Sequence, residues 1–321
     1  MSKNFKWSDF PKLKDASELD SYIKNRMLCK SDSAPYAYKR AFAHDSFYHY
    51  TTLESINKIL SDNSFLLSKI GSSNDPMEKT ADENVYCLCF STGINENLPL
   101  WYLYSGIDGK GGRIGFSAAK IYKLIELGSY KLVEEYRENV EGKTENKYKE
   151  VCDLSKSDME VVVQDILYAK ENEEFCDLKY NTMTNHKKIT VEEFKKFEEN
   201  NRNFVKSLIW YYEKETRVTV KLKEPIIKEL SNDKKYKVKL SFDNLPEVKN
   251  NIKLTFAPQL FDKDQSETEY KNWLIEYLKK NNYDNIFNWI LNTAKFSPSE
   301  YLGQVEMKLC DKCEKRASQN K

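Results

Sequence analysis

Between about residues 47 and 129, short β-type runs alternate with amphipathic helical runs. Phe47 to Tyr50 reads as a strand, and Thr51-Thr52-Leu53-Glu54 supplies a capping box for a helix that buries Leu53, Ile56, Ile59 and Leu60. Phe65 to Ile70 predicts a second strand, closed by the turn-rich Gly71-Ser72-Ser73-Asn74-Asp75-Pro76. Tyr86 to Ser91 alternates Tyr86, Leu88 and Phe90 against Cys87, Cys89 and Ser91, the period of a strand. Gly109 to Gly112 leads into an apolar strand at Ile114 to Phe116. Ser117 then caps a helix carrying Ile121, Leu124 and Ile125 that stops at Gly128.

From about Tyr130 to Asn203 the pattern changes to long charged stretches with few glycines or prolines. Apolar spacing at Met159 to Tyr168 and Val191 to Leu208 predicts helices, so this segment reads as a helical insertion outside the central sheet. Strand character returns at Glu213 to Leu222, Tyr236 to Phe242 and Ile252 to Phe256. An amphipathic helix follows with Tyr270, Trp273, Leu274, Tyr277 and Leu278 on one face. Near the amino terminus, Leu19, Tyr22, Ile23 and Met27 predict a cover helix, broken between Ser31 and Pro35. The expected class is α+β, with no internal repeat.

Composition narrows the function classes. A chain of 321 residues with 40 % hydrophobic and 13 % aromatic residues can bury a sizeable core, which excludes wholesale disorder. Basic and acidic side chains number 51 and 50, a net charge of +1, so there is no global positive field of the kind a dedicated nucleic-acid binder carries. No signal-like apolar run opens the sequence and none later reaches membrane-spanning length, which predicts a cytoplasmic protein without membrane association. The seven cysteines do not form a disulfide framework. Cys310 and Cys313 have the spacing of half a zinc site but lack a second ligand pair, so no metal centre is expected.

Three islands place polar groups where apolar core is the simpler choice. His49-Tyr50-Thr51 sits at a strand end before a capped helix, where an imidazole can donate to a ligand hydroxyl and the helix terminus can support a phosphate. Around Ser91, the aromatic segment Trp101 to Tyr104 offers faces for a flat heteroaromatic ring. In the third island, Glu213, Glu215 and Arg217 project from one face if the segment is a strand. A carboxylate there can stabilise positive charge developing on a sugar, held ionised by Arg217. Each island also has an ordinary structural explanation: a satisfied histidine, packed aromatics, a solvated charge ladder.

Taken in order, Tyr48-His49-Tyr50-Thr51-Thr52-Leu53, Asn74-Asp75-Pro76, Cys89-Phe90-Ser91, Trp101 to Tyr104, Gly112 to Phe116 and Trp210 to Glu215 resemble a large bacterial family of uncharacterised proteins. The resemblance runs discontinuously from about His44 to Phe296. That family is in turn similar to ADP-ribosyltransferases, including toxins of anti-phage and toxin–antitoxin systems.

This resemblance implies an ADP-ribosyltransferase-like split β-sheet core with a helical insertion and flanking helices. The implied divisions are 1–46 as an N-terminal helical cover, 47–129 and 208–300 as the two parts of the core, 130–207 as the insertion, and 301–321 as a tail. It implies NAD as the cofactor-like substrate, with one of Glu213 and Glu215 catalytic, Glu215 favoured and Glu213 then its companion, and with His49 holding ribose hydroxyls. Tyr50, Thr51, Ser91, Trp101 and Tyr104 complete the NAD-binding set. The implied partners are a macromolecular acceptor, nucleic acid or protein with RNA favoured, and an antitoxin. Lys187, Lys188, Lys195, Lys196, Arg202 and Lys206 are interleaved with Glu192, Glu193, Glu198 and Glu199, which favours a solvated helix face over a nucleic-acid path. The alternative reading is a non-catalytic nucleotide- or peptide-binding module on the same fold.

Overall fold

β-Branched and alternating runs become strands, and runs with an apolar stripe become helices, over most of the chain. The computed structural model describes residues 28–29, 38–39, 44, 46–72, 78, 83–92, 96–105, 110–140, 143–169, 202–231, 233–258, 267–293 and 296–299. In chain order the first strands are β1 (Leu28–Cys29), β2 (Tyr38–Lys39), β3 (Ser46–Thr52), β4 (Ser64–Lys69), β5 (Val85–Ser91) and β6 (Gly111–Ser117). There follow β7 (Ser129–Val140), β8 (Lys143–Leu154), β9 (Met159–Asp165), β10 (Leu167–Ala169) and β11 (Val205–Ser207). The last are β12 (Glu215–Leu222), β13 (Lys235–Ser241), β14 (Lys253–Phe256) and β15 (Phe296–Pro298). The α-helices among these residues are α1 (Leu53–Asp62), α2 (Leu98–Tyr104), α3 (Ala118–Leu127), α4 (Glu224–Ile227), α5 (Pro246–Lys249), α6 (Glu267–Lys280) and α7 (Asp284–Thr293). Parallel and antiparallel pairings coexist with helices, so the class is α+β.

The chain divides into two compact units. The first comprises Met1–His44, Phe65–Cys89 and Ser129–Leu240, the second Asp45–Ser64, Phe90–Gly128 and Ser241–Lys321. In the first unit β9 and β12 pair antiparallel over their length, with Val163 opposite Val218 and Gln164 opposite Arg217. Both strands are buried on both faces, which is why Val161 to Val163 and Val218 to Val220 carry few charges. β7 and β8 form a long antiparallel hairpin with a register shift at Leu132/Val133.

In the second unit β6 pairs antiparallel with β3 over seven residues, from Ser46 opposite Ser117 to Thr52 opposite Gly111. β14 lies antiparallel to β6 and parallel to β15. Thr52 caps α1 by accepting from the Ser55 amide at 3.2 Å, one residue later than the Thr51 box predicts. Leu53, Ile56, Ile59 and Leu60 form its buried face. Asn57 on α1 accepts the Asn285 and Ile286 amides at the start of α7, at 3.0 and 3.2 Å, and so satisfies two otherwise unpaired donors.

The expected helical insertion is corrected over its described part. Residues 129–169 form β7 to β10, and the Met159 to Tyr168 pattern is β9 and β10 rather than a helix. β9 is buried on both faces, which removes the period-two signal; its run of three valines is the β-type mark that remains. Residues 202–208 are a 3-10 turn, β11 and the start of a second 3-10 helix, not the end of a long helix. The expectations for the cover helix at Leu19 to Met27, for 170–201 and for the tail at 301–321, including Cys310 and Cys313, lie outside the described residues. No helix among the described residues is long and apolar enough to cross a membrane.

The approach of β6 to its neighbours depends on glycine. A Cβ on Gly111 would meet Ser105 Cα at 2.5 Å and the Thr51 carbonyl oxygen at 2.7 Å, whereas one on Gly71 would, among the described residues, meet nothing nearer than the Glu78 carbonyl oxygen at 4.0 Å. Gly111→Ala is therefore expected to lower stability by about 1–3 kcal/mol through overpacking. Gly71→Ala is expected to stay within about 0.5 kcal/mol of wild type. Urea unfolding of the two variants beside wild type checks both.

Candidate functional site

The first unit buries an ionic cluster around Arg217, the third residue of β12. Strand alternation places Glu215 and Arg217 on one face of β12, and the Arg217 Nε donates to Glu215 Oε1 at 2.8 Å. One terminal nitrogen of the guanidinium donates to the Asn203 carbonyl at 3.0 Å; the other pairs with Glu78 and, at 2.8 Å, with Glu215. Lys206, on β11, completes the group by donating to Glu213 Oε2 at 2.5 Å and Glu215 Oε2 at 3.1 Å. Arg217 is 1 % exposed and the three carboxylates and Lys206 are all buried, so these ion pairs are shielded from solvent screening.

Glu213 does not occupy the place expected of it. It ends a 3-10 helix spanning Leu208–Glu213, and Lys214 then turns the chain in the left-handed conformation, with φ of 46°. The strand begins only at Glu215, so alternation does not put Glu213 beside it. The two carboxylates are brought together instead by sharing the Lys206 ammonium. The sequence favoured a solvated helix face for Lys206 over a nucleic-acid path; the structure places it on a strand and buries it, with its ammonium also 5.0 Å from the centre of the Trp210 ring.

The electrostatics follow from this packing. Burial alone pushes the Glu215 carboxyl up, but Arg217 and Lys206 overcome it and hold the group at about 2, so it is ionised throughout the neutral range. Burial alone pulls Lys206 down, and Glu215 and Glu213 reverse the sign and raise it. On β5, Cys87 and Cys89 are partly buried free thiols with sulfurs 4.0 Å apart. The Cys89 hydrogen bond lowers Cys87, while the same bond and burial push Cys89 well up, and Cys89 in turn helps to hold the Glu215 charge.

On the opposite face of β12, Thr216 donates to Asp165, and His44 Nε2 lies 3.1 and 3.2 Å from the two Asp165 oxygens. Sequence reasoning used neither His44 nor Asp165. The pairing of β9 with β12 sets Thr216 opposite Asp165, and the separation of 121 residues between His44 and Asp165 leaves no sign of their contact in the sequence.

The remaining predicted residues belong to the second unit. His49 lies in the middle of β3, not at its end, and shares a face with Thr51 and Phe47; its ring stands edge-on to Phe90 at 6.0 Å. Tyr50 points to the other face, together with Ser91, whose strand neighbour is Tyr48. His49 and Ser91 are thus not brought onto one face.

Trp101 is fully buried, with its ring 4.7 Å from that of Tyr50 and its Nε1 donating to Glu96 at 2.9 Å. Its ring is therefore occupied by core, whereas Tyr104 is 40 % exposed. Glu96 also accepts from Ser299 and, at 3.4 Å, from Arg113, which donates to the Tyr50 hydroxyl at 3.1 Å and stacks 4.2 Å from the Tyr48 ring. Arg113 and Glu96 were not singled out from sequence; an arginine directly after two glycines in an otherwise apolar strand, Gly111-Gly112-Arg113-Ile114, is the available signal.

Among the described residues no group of three or more His, Cys, Asp or Glu side chains is arranged to hold a metal ion. Comparison with protein-family models, with curated proteins and with solved structures gives no match.

The held charge on Glu215 makes stability depend on acid. A carboxyl whose folded value is depressed contributes stability above its unfolded value, 4.5, and that contribution is lost as pH falls toward about 2. The shift corresponds to roughly 3 kcal/mol. The urea midpoint of wild type is expected to fall steeply between pH 5 and pH 2, and Glu215→Gln, measured over the same series, is expected to show a shallower slope.

Proposed function

We propose that the chain is an NAD-dependent ADP-ribosyltransferase that modifies a macromolecule, on a core of the ADP-ribosyltransferase type. The observation that carries the reading is Glu215: a carboxylate at the first residue of a strand, kept ionised by Arg217 and Lys206 and accompanied by Glu213. Breaking the bond between nicotinamide and ribose builds positive, oxocarbenium-like charge on the sugar. A fixed carboxylate favours that transition state over the ground state, and a preformed guanidinium and ammonium keep it oriented without reorganisation.

Glu213, on the same ammonium, is the companion carboxylate that orients the acceptor. The resemblance assigns His49 to ribose hydroxyls, and within the second unit it shares its face of β3 with Thr51. Within the second unit Ser91 and Tyr50 turn to the face away from His49 and the Trp101 ring lies in the core, so the residues that the resemblance assigns to NAD do not share one face. RNA is the favoured acceptor, and the resemblance to toxins of defence systems makes an antitoxin the expected partner and the cytoplasm the expected compartment.

A second reading has its own observation. All of Glu215 is engaged in ion pairs and it is 4 % exposed, as expected of a purely structural cluster in a non-catalytic nucleotide- or peptide-binding module. Incubating the chain with NAD labelled in the adenosine moiety, with separate RNA, DNA and protein pools, separates the two readings. The transferase reading expects nicotinamide release and label in one pool. Glu215→Gln is expected to cut turnover by about a hundred- to a thousandfold, read at a temperature where circular dichroism shows the variant folded. NAD binding by wild type with no nicotinamide release in any pool favours the module instead.

A further inference from the structure

Cys87 and Cys89 stand two residues apart on β5, so alternation puts both thiols on one face of the strand. Tyr86 and Leu88, on the opposite face, are buried in the core, whereas the two cysteines are only partly buried and their sulfurs lie 4.0 Å apart. The cysteine face is the one turned to the ionic cluster. Cys89 hydrogen-bonds Glu215, and the Arg217 guanidinium is close enough for its charge to act on both sulfurs. A cysteine that serves only as a small apolar side chain packs among apolar neighbours. These two point at carboxylates and a guanidinium instead.

The spacing limits what such a pair can do. Residues two apart on a strand have α-carbons about 6.6 Å apart and parallel Cβ directions, at the limit of what a disulfide bridges without backbone movement. An ion held between the sulfurs asks for less. Two metal–thiolate bonds of about 2.3 Å span at most about 4.6 Å, so the observed 4.0 Å corresponds to an angle of about 120° between them. Two thiolates around a monovalent cation leave a single net negative charge, which Arg217 favours and Glu215 and Glu78 oppose. At Cys87 the Cys89 hydrogen bond and the Arg217 charge prevail over burial and these carboxylates, and they hold the thiol below its usual range.

We infer that Cys87 and Cys89 form a two-thiolate site for copper(I), a soft monovalent cation. The ion class follows from the donor set. Among the described residues no group of three or more His, Cys, Asp or Glu side chains is arranged to hold a metal, so zinc lacks the further ligands it requires. Calcium and magnesium take oxygen rather than sulfur. Thiolate sulfur selects copper(I), and a filled-shell monovalent ion is satisfied by two such donors. As the ion binds, the thiol protons leave to solvent and Cys89 no longer donates to Glu215. The site does not rest on the transferase reading.

The test uses the full chain, with copper(I) supplied anaerobically in ascorbate against the chromophoric chelator bicinchoninate. Cys310→Ser/Cys313→Ser is the reference protein, because that closely spaced pair competes for the same ion. The reference protein is expected to withdraw one copper(I) per chain from the chelator and to take up no zinc. Adding Cys87→Ser or Cys89→Ser is expected to weaken copper(I) binding by more than about a hundredfold, beyond the cost of losing an outer partner of a metal ligand. Copper X-ray absorption of the loaded reference protein is expected to show two sulfur neighbours. No copper(I) uptake by the reference protein, or an equal affinity after either added substitution, overturns the inference. A copper shell of nitrogen and oxygen, or zinc held as tightly as copper(I), also overturns it. Should an added substitution prevent folding, as read by circular dichroism, the sulfur count in the reference protein decides alone.

Discussion

The buried guanidinium of Arg217 is the constraint on which the first unit depends. A guanidinium that is 1 % exposed is tolerable only if its donors are met, and here they are met by Glu78, Glu215 and the Asn203 carbonyl. These three partners come from stretches around residues 78, 203 and 215, so the arginine fixes where each must lie. Lys206 then supplies the second cation that Glu213 and Glu215 need. The arrangement costs desolvation and returns little net stability, since a well-packed apolar replacement of such a group is often as stable. What it provides is a carboxylate of fixed direction and fixed charge.

A second buried arginine organises the other unit by similar means. Arg113 lies between the Tyr48 and Tyr50 rings and reaches Glu96, and Glu96 gathers Trp101 and Ser299. Here the polar groups tie a strand, a short helix and a late segment of chain together. Glycine at 111 and 112 permits the close approach that this packing requires, because a side chain there would strike backbone or the end of Ile56.

Much of this was legible in the sequence, for identifiable reasons. α1 and α3 were readable because each has one buried face and a residue at its start that suits a cap, so period and punctuation agree, while β3 and β6 were readable as short apolar runs that end where those helices begin. The segment from Tyr130 was misread for two opposite reasons. The outer part of the β7–β8 hairpin, around Tyr136 to Asn139 and Thr144 to Asn146, is exposed on both faces, and β9 is buried on both, so neither alternates. The pairing of Glu215 with Arg217 followed from alternation, but the placing of Glu213 on the same strand did not survive the left-handed turn at Lys214. Gln164 meets Arg217 only through the pairing of β9 with β12, and the Glu78–Arg217 and His44–Asp165 pairs join positions 139 and 121 residues apart, so sequence reading reached none of them; the burial of Lys206 was hidden because its segment reads as a solvated helix.

The central claim is that Arg217 and Glu215 act as one unit in the buried cluster, and a double-mutant cycle in urea unfolding tests it most directly. Arg217→Met alone strands buried carboxylates and is expected to cost about 3–5 kcal/mol. Adding Glu215→Gln removes one of those charges, so the double variant should be more stable than the sum of the single losses by about 1–3 kcal/mol. Losses that add to within about 0.5 kcal/mol would mean that the two side chains do not interact in solution, and would contradict the account.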